Sequence, residues 1–396
     1  MKQLINLDNS IVLKEELLKQ LNNAIDITID EKQRMRLDYE WLEAITGKMT
    51  QNKRANRRRY KTADVIMSKI PKPVQLSTIS TSEMVKLAVD FFKSVDEDIY
   101  KLAVETILQQ KEKISTYIYN IHNVKNFSET EENGIIKYDI EANVMYDNGE
   151  AIVHMPIGDK KNKNSGNICS IDDSYALVHE IAHLFDANLD YTLPKIQLNE
   201  PTKKKRQPIR INETRELLAE TTAIAFEQLF KDYLLENTSY SREEILQNQR
   251  DRLKDTYNNA ESVYVNLLLA RIKEEKGEDG EISNEDIEKI IHKNNLSVHH
   301  ARYMARNIIA DRGNMQINKR YAVAGLLAPT IVKKYRKDKE QGKALLKRYL
   351  EHVKNNKLQE ALDVFGITMS NESINKAIEV IKEQEKELYP EEEISR

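Results

Sequence analysis

Apolar residues recur at spacings of three and four along most of this chain, which is the pattern of helices that bury one face. Few helix breakers interrupt it, since the 396 residues include only 11 glycines and 8 prolines. We therefore predict a mainly α fold. The predicted helices span residues 11–22, 31–47, 82–94, 96–120, 172–188, 212–236, 241–275, 285–293, 297–311, 320–337, 340–354, 357–364 and 371–388.

Residues 135–146 and 150–157 depart from that pattern, because they are rich in residues that favour strands. Between them, the sequence Asp-Asn-Gly at 147–149 favours a tight two-strand turn. We predict a small antiparallel sheet just before helix 172–188. Residues 150–157 are a candidate exposed edge, to which an extended peptide adds through main-chain hydrogen bonds. The alternative is a hairpin that only covers the core.

His179, Glu180 and His183 form an H-E-x-x-H motif inside the predicted helix 172–188. Positions i and i+4 share a helix face, so the two imidazoles can hold one metal ion, and Glu180 projects beside it. The apolar neighbours of the motif predict a buried helix, where such a site is dry and rigid. The alternative is a pair of interior histidines, but both would then need polar partners in an apolar setting.

A catalytic zinc ion typically takes three protein ligands and leaves its fourth position to water. Glu220 is the best candidate for the third ligand, because the small residues at 219 and 221–223 let two helix backbones approach closely. Glu213 and Glu216 are rivals on the same segment. They are more typical of first-turn acids, which the helix dipole favours.

The motif at 179–183 and the segment Leu218–Glu227 resemble the metal-binding core of the thimet oligopeptidase and oligoendopeptidase F family of zinc peptidases, of the gluzincin type. Residues 345–354 and 358–370 are similar to the carboxy-terminal segment of the oligoendopeptidase F branch. The resemblance covers roughly residues 95–390. It implies a multi-helix metallopeptidase fold, a small antiparallel sheet beside the H-E-x-x-H helix, a substrate cleft between two helical parts, and one Zn²⁺ ion.

The chain departs from the family in two places. Between His183 and Glu220 lie 36 residues, more than the family usually has, and we interpret the surplus at 190–210 as a surface loop because prolines break it. Only about 95 residues precede the similar region, whereas the family has a larger amino-terminal lobe. We therefore predict a reduced amino-terminal helical part at 1–95 and a zinc metallopeptidase catalytic part at 96–396.

Glu180 is the predicted general base, which takes a proton from a water whose pKa zinc lowers to about 7. The two imidazoles bind as neutral groups, each oriented through its other ring nitrogen by a further partner. Candidates for such partners are Asp186, Glu216 and Glu227.

The resemblance also implies a tyrosine and a histidine that donate hydrogen bonds to the negative charge of the tetrahedral intermediate. Tyr321 lies in a segment that looks like the family's tyrosine-bearing one, and a core aromatic residue is the alternative. The histidine would be His300 or His299. At Ile317 and Lys319 the chain lacks the further tyrosines of the family.

The net charge of −3 is small for this length, so we expect no nucleic-acid or anionic-membrane partner, and the basic runs at 53–61 and 203–206 are typical of solvated surface. Cys169 is the single cysteine, which favours a reducing compartment. The sequence has no signal-like or membrane-spanning apolar run. We therefore expect a cytoplasmic location, with export by a route without such a signal left open.

Together these features predict a zinc-dependent metallopeptidase, an endopeptidase or oligopeptidase, that acts on a peptide or protein substrate. The alternative is a catalytically weak or inactive peptide-binding or regulatory protein that keeps the metal scaffold, suggested by the missing tyrosines. A weaker alternative is a polyanion-binding protein in which the metal is structural. The sequence predicts neither the preferred substrate side chains nor the oligomeric state.

Overall fold

The protein is described here by a computed structural model. It describes residues 13–34, 39–53, 77–104, 114–120, 130–132, 135–137, 143–147, 150–157, 168–186, 210–277, 280–293, 305–306, 308–309, 316–355, 357–368 and 370–389. The mainly α fold predicted from the sequence is confirmed. The helices are Glu15–Arg34, 39–53, Thr81–Val95, Glu97–Val104, Ile171–Asp186, Arg210–Asn237, Arg242–Lys276, Asn284–Lys293, Gln316–Lys337, Lys339–Lys354, Leu358–Val364 and Asn371–Leu388.

The chain divides into two compact units, each assembled from separate segments. The first unit comprises Met1–Lys69, Leu253–Leu326 and Met369–Arg396, and the second comprises Ile70–Arg252 and Leu327–Thr368. The division into a reduced part at 1–95 and a catalytic part at 96–396 concerns function and remains a prediction, as does the cleft between two helical parts.

Two helix predictions were wrong. The single helix predicted at 96–120 is a helix at Glu97–Val104 followed by a strand at Ile114–Asn120. That strand contains alternating β-branched and aromatic residues, which favour a pleated conformation once a partner strand is available. The helix predicted at 11–22 extends further than expected, because helix Glu15–Arg34 continues through residues 23–30 with Ala24 and Ile25 buried.

The strands within the described residues are β1 (Thr78–Ser80), β2 (Ile114–Asn120), β3 (Thr130–Glu132), β4 (Ile135–Lys137), β5 (Asn143–Asp147), β6 (Glu150–Ile157) and β7 (Ile168–Ser170). The predicted hairpin is present, since β5 pairs with β6 in antiparallel register and Asp147 lies opposite Glu150. However, β2 pairs with β6 in parallel, so this sheet is mixed rather than purely antiparallel.

The strand at 150–157 is therefore not an edge. It lies in the centre of the three-stranded sheet, in the order β2-β6-β5, because the segment misassigned as helix supplies its second neighbour. Strands β5 and β6 pack against helix Ile171–Asp186, as expected for a sheet beside the H-E-x-x-H helix. Two smaller pairs complete the strands of the described residues, β1 with β7 and β3 with β4.

The pair of β1 and β7 leads directly into two helices of the second unit. Ser80, at the end of β1, caps helix Thr81–Val95 by accepting a hydrogen bond from the Glu83 backbone at 3.2 Å. Ser170, at the end of β7, donates from its backbone N–H and its hydroxyl to Asp173, at 2.6 and 3.0 Å. The antiparallel pair thus fixes the starts of both helices against each other.

A cluster of aromatic rings holds three helices of this unit together. Neighbouring rings have centroids 5.0–6.3 Å apart and mostly meet at steep angles, an arrangement worth about 0.5–1.5 kcal/mol per pair beyond burial. The cluster consists of Phe91 and Phe92 from helix Thr81–Val95, Tyr175 and Phe185 from helix Ile171–Asp186, and Phe226 and Phe230 from helix Arg210–Asn237.

The first unit has its own apolar core, to which helix Glu15–Arg34 contributes Leu21 and Ile25. Asn22 of the same helix is buried and is satisfied by the backbone of Ile282, which it meets through both its amide oxygen and its amide nitrogen at 2.8 and 3.1 Å. Among the described residues of the whole chain, no helix has the length and apolar character needed to cross a bilayer.

Helix Asn284–Lys293 begins at a reciprocal cap. Ser283 donates from its backbone and its hydroxyl to the Asp286 carboxylate, at 2.8 and 2.7 Å, and its hydroxyl accepts from the Asp286 backbone at 3.3 Å. The Lys276 ammonium also binds this carboxylate. Burial alone would raise the pKa of Asp286, but the hydrogen bonds from Lys276 and Ser283 outweigh it and lower the pKa to about 2.

We expect Asp286→Ala to lower the free energy of unfolding at pH 7 by about 1 kcal/mol, the usual cost of a lost helix cap. Because the folded-state pKa lies below the ordinary value of 3.8, the stabilisation is present above that value and is lost as the pH falls towards 2. Urea unfolding of both proteins between pH 7 and 2.5 measures the difference. A gap of constant size over that range would contradict the assignment.

Candidate metal centre

Helix Ile171–Asp186, which we call the HExxH helix, is buried over most of its surface. His179 and Glu180 are only 5% and 6% exposed, and the His183 side chain is 17% exposed. The apolar residues Val178, just before the motif, and Ile181, within it, are fully enclosed. The motif thus lies in a largely dry setting, in which polar atoms need partners and electrostatic attractions are strong.

Helix Arg210–Asn237, which we call the Glu220 helix, packs against the HExxH helix. All twelve of its residues from 220 to 231 are buried, so this helix has no solvent face there. The hydroxyls of Thr221 and Thr222 donate to backbone carbonyls one turn back, at 2.7 and 2.8 Å. Small, internally satisfied side chains therefore flank Glu220, as its proposed reach to the histidines requires.

Three ligand atoms converge between these two helices. His179 Nε2 lies 2.9 Å from His183 Nε2 and 3.5 Å from the Glu220 Oε2 atom, and His183 Nε2 lies 3.9 Å from the same oxygen. Two atoms bound at about 2.0–2.1 Å to a tetrahedral zinc ion are about 3.3–3.4 Å apart. The three separations scatter around that value, so the residues fit one such ion.

Glu180 also lies beside the imidazoles, since its carboxylate and the ring nitrogens of His179 and His183 lie within 4.8 Å of one another. Two acids therefore compete for the role of third ligand. We favour Glu220, because one of its oxygens is within 4 Å of both Nε2 atoms. The side chain of Glu180 points about 100° around the helix axis from that of its neighbour His179, so it projects beside the ion rather than onto it. Burial raises the pKa of Glu180 to about 7, a value suited to proton transfer near neutrality.

The other ring nitrogen of His179 has a carboxylate partner. Its Nδ1 lies 2.5 Å from Oε1 of Glu227, a residue with no exposed surface. Glu227 in turn accepts two hydrogen bonds from Arg252, from Nε at 3.0 Å and from Nη2 at 2.5 Å. His179 is thus oriented from behind by a buried acid, and that acid is held by a guanidinium.

The charges of this centre favour a cation. Burial opposes a charge on the imidazole of His179, but Glu227 and Glu220 outweigh burial and raise its pKa to about 10. Burial also opposes the charge of Glu227, but Arg252 and His179 outweigh it and lower the pKa of that carboxyl. Two buried acids therefore draw positive charge to the histidines, and a divalent ion can supply it in place of a proton.

The remaining sequence predictions have different outcomes. Of the candidate orienting acids, Glu227 contacts a histidine, Glu216 is exposed, and the side chain of Asp186 lies outside the described part of the chain. Sequence reasoning missed Arg252. No motif surrounds it, and only the apolar periodicity of helix 241–275 could have indicated which of its residues face inwards.

Tyr321 lies on helix Gln316–Lys337 in the first compact unit and is half-buried. The Arg320 guanidinium lies 5.5 Å from its ring centroid. The role of Tyr321 remains a prediction. His300 and His299 lie outside the described residues, as does the loop predicted at 190–210 except for Arg210, which begins the Glu220 helix.

No profile of a known protein family matches the chain, and no curated protein matches its sequence. Among solved structures, oligoendopeptidase-F from Enterococcus faecium is similar over 98% of this chain and 54% of its own, at 14% identity and a TM-score of 0.48. A provisionally assigned peptidase from Chlamydophila abortus matches 96% of this chain and 56% of its own, at 14% identity and a TM-score of 0.44. The chain thus spans about half the length of these structures. A likeness at this level establishes neither a family nor an activity.

Glu227→Gln is expected to weaken Zn²⁺ binding by about 10- to 100-fold, because partners of a ligand's second nitrogen orient the ring and strengthen its donor atom. Glu216→Gln is the matched control, since Glu216 lies on the same helix but is exposed. Titration in competition with a chromophoric chelator measures both affinities. Equal affinities for the two variants would contradict a role for Glu227.

Proposed function

We propose that this protein is a zinc-dependent metallopeptidase, an endopeptidase or oligopeptidase, that binds one Zn²⁺ ion through His179, His183 and Glu220. The observation that carries the proposal is the buried convergence of these three side chains, whose ligand atoms lie 2.9–3.9 Å apart, around the separation of about 3.3–3.4 Å in a tetrahedral zinc site. With Glu180 assigned to proton transfer, the proposal uses three protein ligands from the described residues, which is the number typical of hydrolytic sites rather than of closed structural ones.

Zinc bound at such a site polarises a carbonyl and lowers the pKa of a water molecule to about 7. Glu180 is the proposed general base. Its carboxylate accepts the proton of the attacking water and then delivers it to the leaving amine of the peptide. Its raised pKa supports this exchange, since a base that must also act as an acid works best near the operating pH.

His179 and His183 would bind through their Nε2 atoms as neutral imidazoles. Glu227 then accepts the hydrogen bond from Nδ1 of His179 and so keeps Nε2 available as a donor to the metal. The carboxylates of Glu220 and Glu227 are buried, so water does not compete with the histidines for them.

Tyr321 and His300 are the proposed hydrogen-bond donors to the oxyanion of the tetrahedral intermediate, with His299 as the alternative histidine. Both assignments rest on the family resemblance: residues 320–325 look like the family's tyrosine-bearing segment, and the family also implies a histidine. We also propose that the substrates are peptides or proteins and that the protein is cytoplasmic. The single cysteine, Cys169, is buried and supports a reducing compartment.

The roles of the two acids predict different zinc contents for their variants, although both variants should lose activity. Glu180→Gln is expected to retain one zinc per chain but to lose about 10² to 10⁴ of kcat on a quenched peptide library. Glu220→Gln is expected to lose zinc as well as activity. Elemental analysis of the dialysed proteins and cleavage assays with and without chelator measure both effects.

Three other results would contradict this proposal, the first in its assignment of residues and the other two in the function itself. Zinc retained by Glu220→Gln but lost by Glu180→Gln would exchange the roles of the two acids. Peptides that bind the wild-type protein without being cleaved would favour the regulatory protein, to which Ile317 and Lys319 point. Cleavage that no chelator inhibits would exclude a metallopeptidase.

Tyr321→Phe is expected to lower kcat by about 10²-fold with unchanged zinc content, because the loss of one oxyanion donor typically costs 10² to 10³. His300→Ala should show a smaller loss of the same kind, whereas such a loss in His299→Ala instead would assign the role to His299. Kinetics at saturating peptide separate kcat from KM. A Tyr321→Phe variant with wild-type kcat would remove this residue from the mechanism.

A further inference from the structure

Glu227 occupies an unusual position, because its carboxylate is fully enclosed and yet has charged groups on two sides. Its Oε1 atom meets both the Nδ1 atom of His179 and Nη2 of Arg252, and its Oε2 atom meets Nε of Arg252. A buried carboxylate is stable only when such partners satisfy it. The orientation of Glu227, and through it that of His179, therefore depends on what Arg252 does.

Arg252 binds Glu227 in the two-point manner of a guanidinium fork. Nε donates to Oε2 and Nη2 donates to Oε1, so both carboxylate oxygens are engaged by a single planar group. Such a pair fixes the plane of the carboxylate as well as its position, which a lysine ammonium cannot do. The oxygen that faces His179 is thereby held at the ring nitrogen.

Arg252 is itself positioned by its own helix, Arg242–Lys276. This helix contacts the HExxH helix at residues one and two turns before Arg252. The backbone carbonyl of Ile245 accepts from the Tyr175 hydroxyl at 3.1 Å, and Asn248 donates to Asp172 at 3.2 Å. Positions 248 and 252 follow position 245 by three and seven residues, so all three lie on one helix face. The same face that contacts the HExxH helix thus presents the guanidinium to Glu227.

We propose that Arg252 is a positioning residue of the metal centre, which holds Glu227 against Nδ1 of His179 and so tightens the binding of zinc by the Nε2 atom of that histidine. The inference rests on the proposed function. It adds a residue from a third helix to a site that the sequence motif assigns to two helices.

A matched control lies in the same compact unit. Arg336 binds Asp232 with the same fork geometry, from Nε at 2.7 Å and from Nη2 at 2.8 Å. Its side chain is 36% exposed, close to the 32% of Arg252. Arg336 is not part of the candidate metal centre, so Arg336→Met removes an ion pair of the same geometry, to the more exposed Asp232, without touching the proposed zinc ligands.

The experiment measures the zinc dissociation constant of the full-length chain by competition with a chromophoric chelator, together with the visible spectrum of the Co²⁺-loaded protein. Arg252→Met is expected to weaken zinc binding by about tenfold and to change the ligand-field bands of Co²⁺. Arg252→Lys should restore only part of the affinity, whereas Arg336→Met should bind like the wild type.

A double variant separates positioning from general destabilisation. If Arg252 acts through Glu227, Arg252→Met in a Glu227→Gln background should weaken zinc binding by less than about twofold more than Glu227→Gln alone. A full additional tenfold loss would overturn the inference. Unchanged zinc affinity in Arg252→Met with a lowered melting temperature of the metal-free protein would also overturn it, since Arg252 would then only stabilise the fold.

The outcomes distinguish this inference from the function on which it rests. A wild-type protein without stoichiometric zinc binding would overturn the proposed function and the positioning role together. Tight zinc binding that is unaffected by Arg252→Met overturns the positioning role alone. Full restoration of affinity by Arg252→Lys would show that charge suffices and would overturn the two-point geometry on which the inference depends.

Discussion

The pairing of buried carboxylates with positive charge is the constraint on which the candidate site depends. Glu220 and Glu227 lie two turns apart on a helix that is buried on all sides at this level, where an unpaired negative charge costs several kcal/mol. Arg252 meets one acid from a neighbouring helix, and His179 lies close to both. A divalent cation between the histidines and Glu220 can supply positive charge there in place of a proton on His179, which then binds the ion as a neutral imidazole.

The surrounding fold of the second compact unit maintains this arrangement. The antiparallel strands β1 and β7 start the helix Thr81–Val95 and the HExxH helix side by side, and aromatic rings join both to the Glu220 helix. Small residues around Glu220 then allow the two site helices to approach closely. Because protein interiors are close-packed, a shift of any of these helices would be transmitted to the ligand atoms.

Local patterns predicted part of this structure. The apolar periodicity indicated the mainly α fold, and the spacing of His179 and His183 on one helix face needed no tertiary information. The small neighbours of Glu220 singled it out as an acid of another helix that lies near the two histidines. The strand Ile114–Asn120 could not be predicted in this way, because its conformation depends on pairing with a strand more than thirty residues away. For the same reason β6 was taken for an edge. Arg252 was missed because its contact with Glu227 joins two helices.

The account's central claim is that two imidazoles and the carboxylate of Glu220 bind one zinc ion. X-ray absorption spectroscopy at the zinc edge of the full-length, dialysed protein tests it most directly. The predicted result is one zinc per chain, four-coordinate, with two imidazole nitrogens and two oxygen donors at about 2.0–2.1 Å. Zinc without imidazole ligands, or a protein that retains no zinc, would contradict the account.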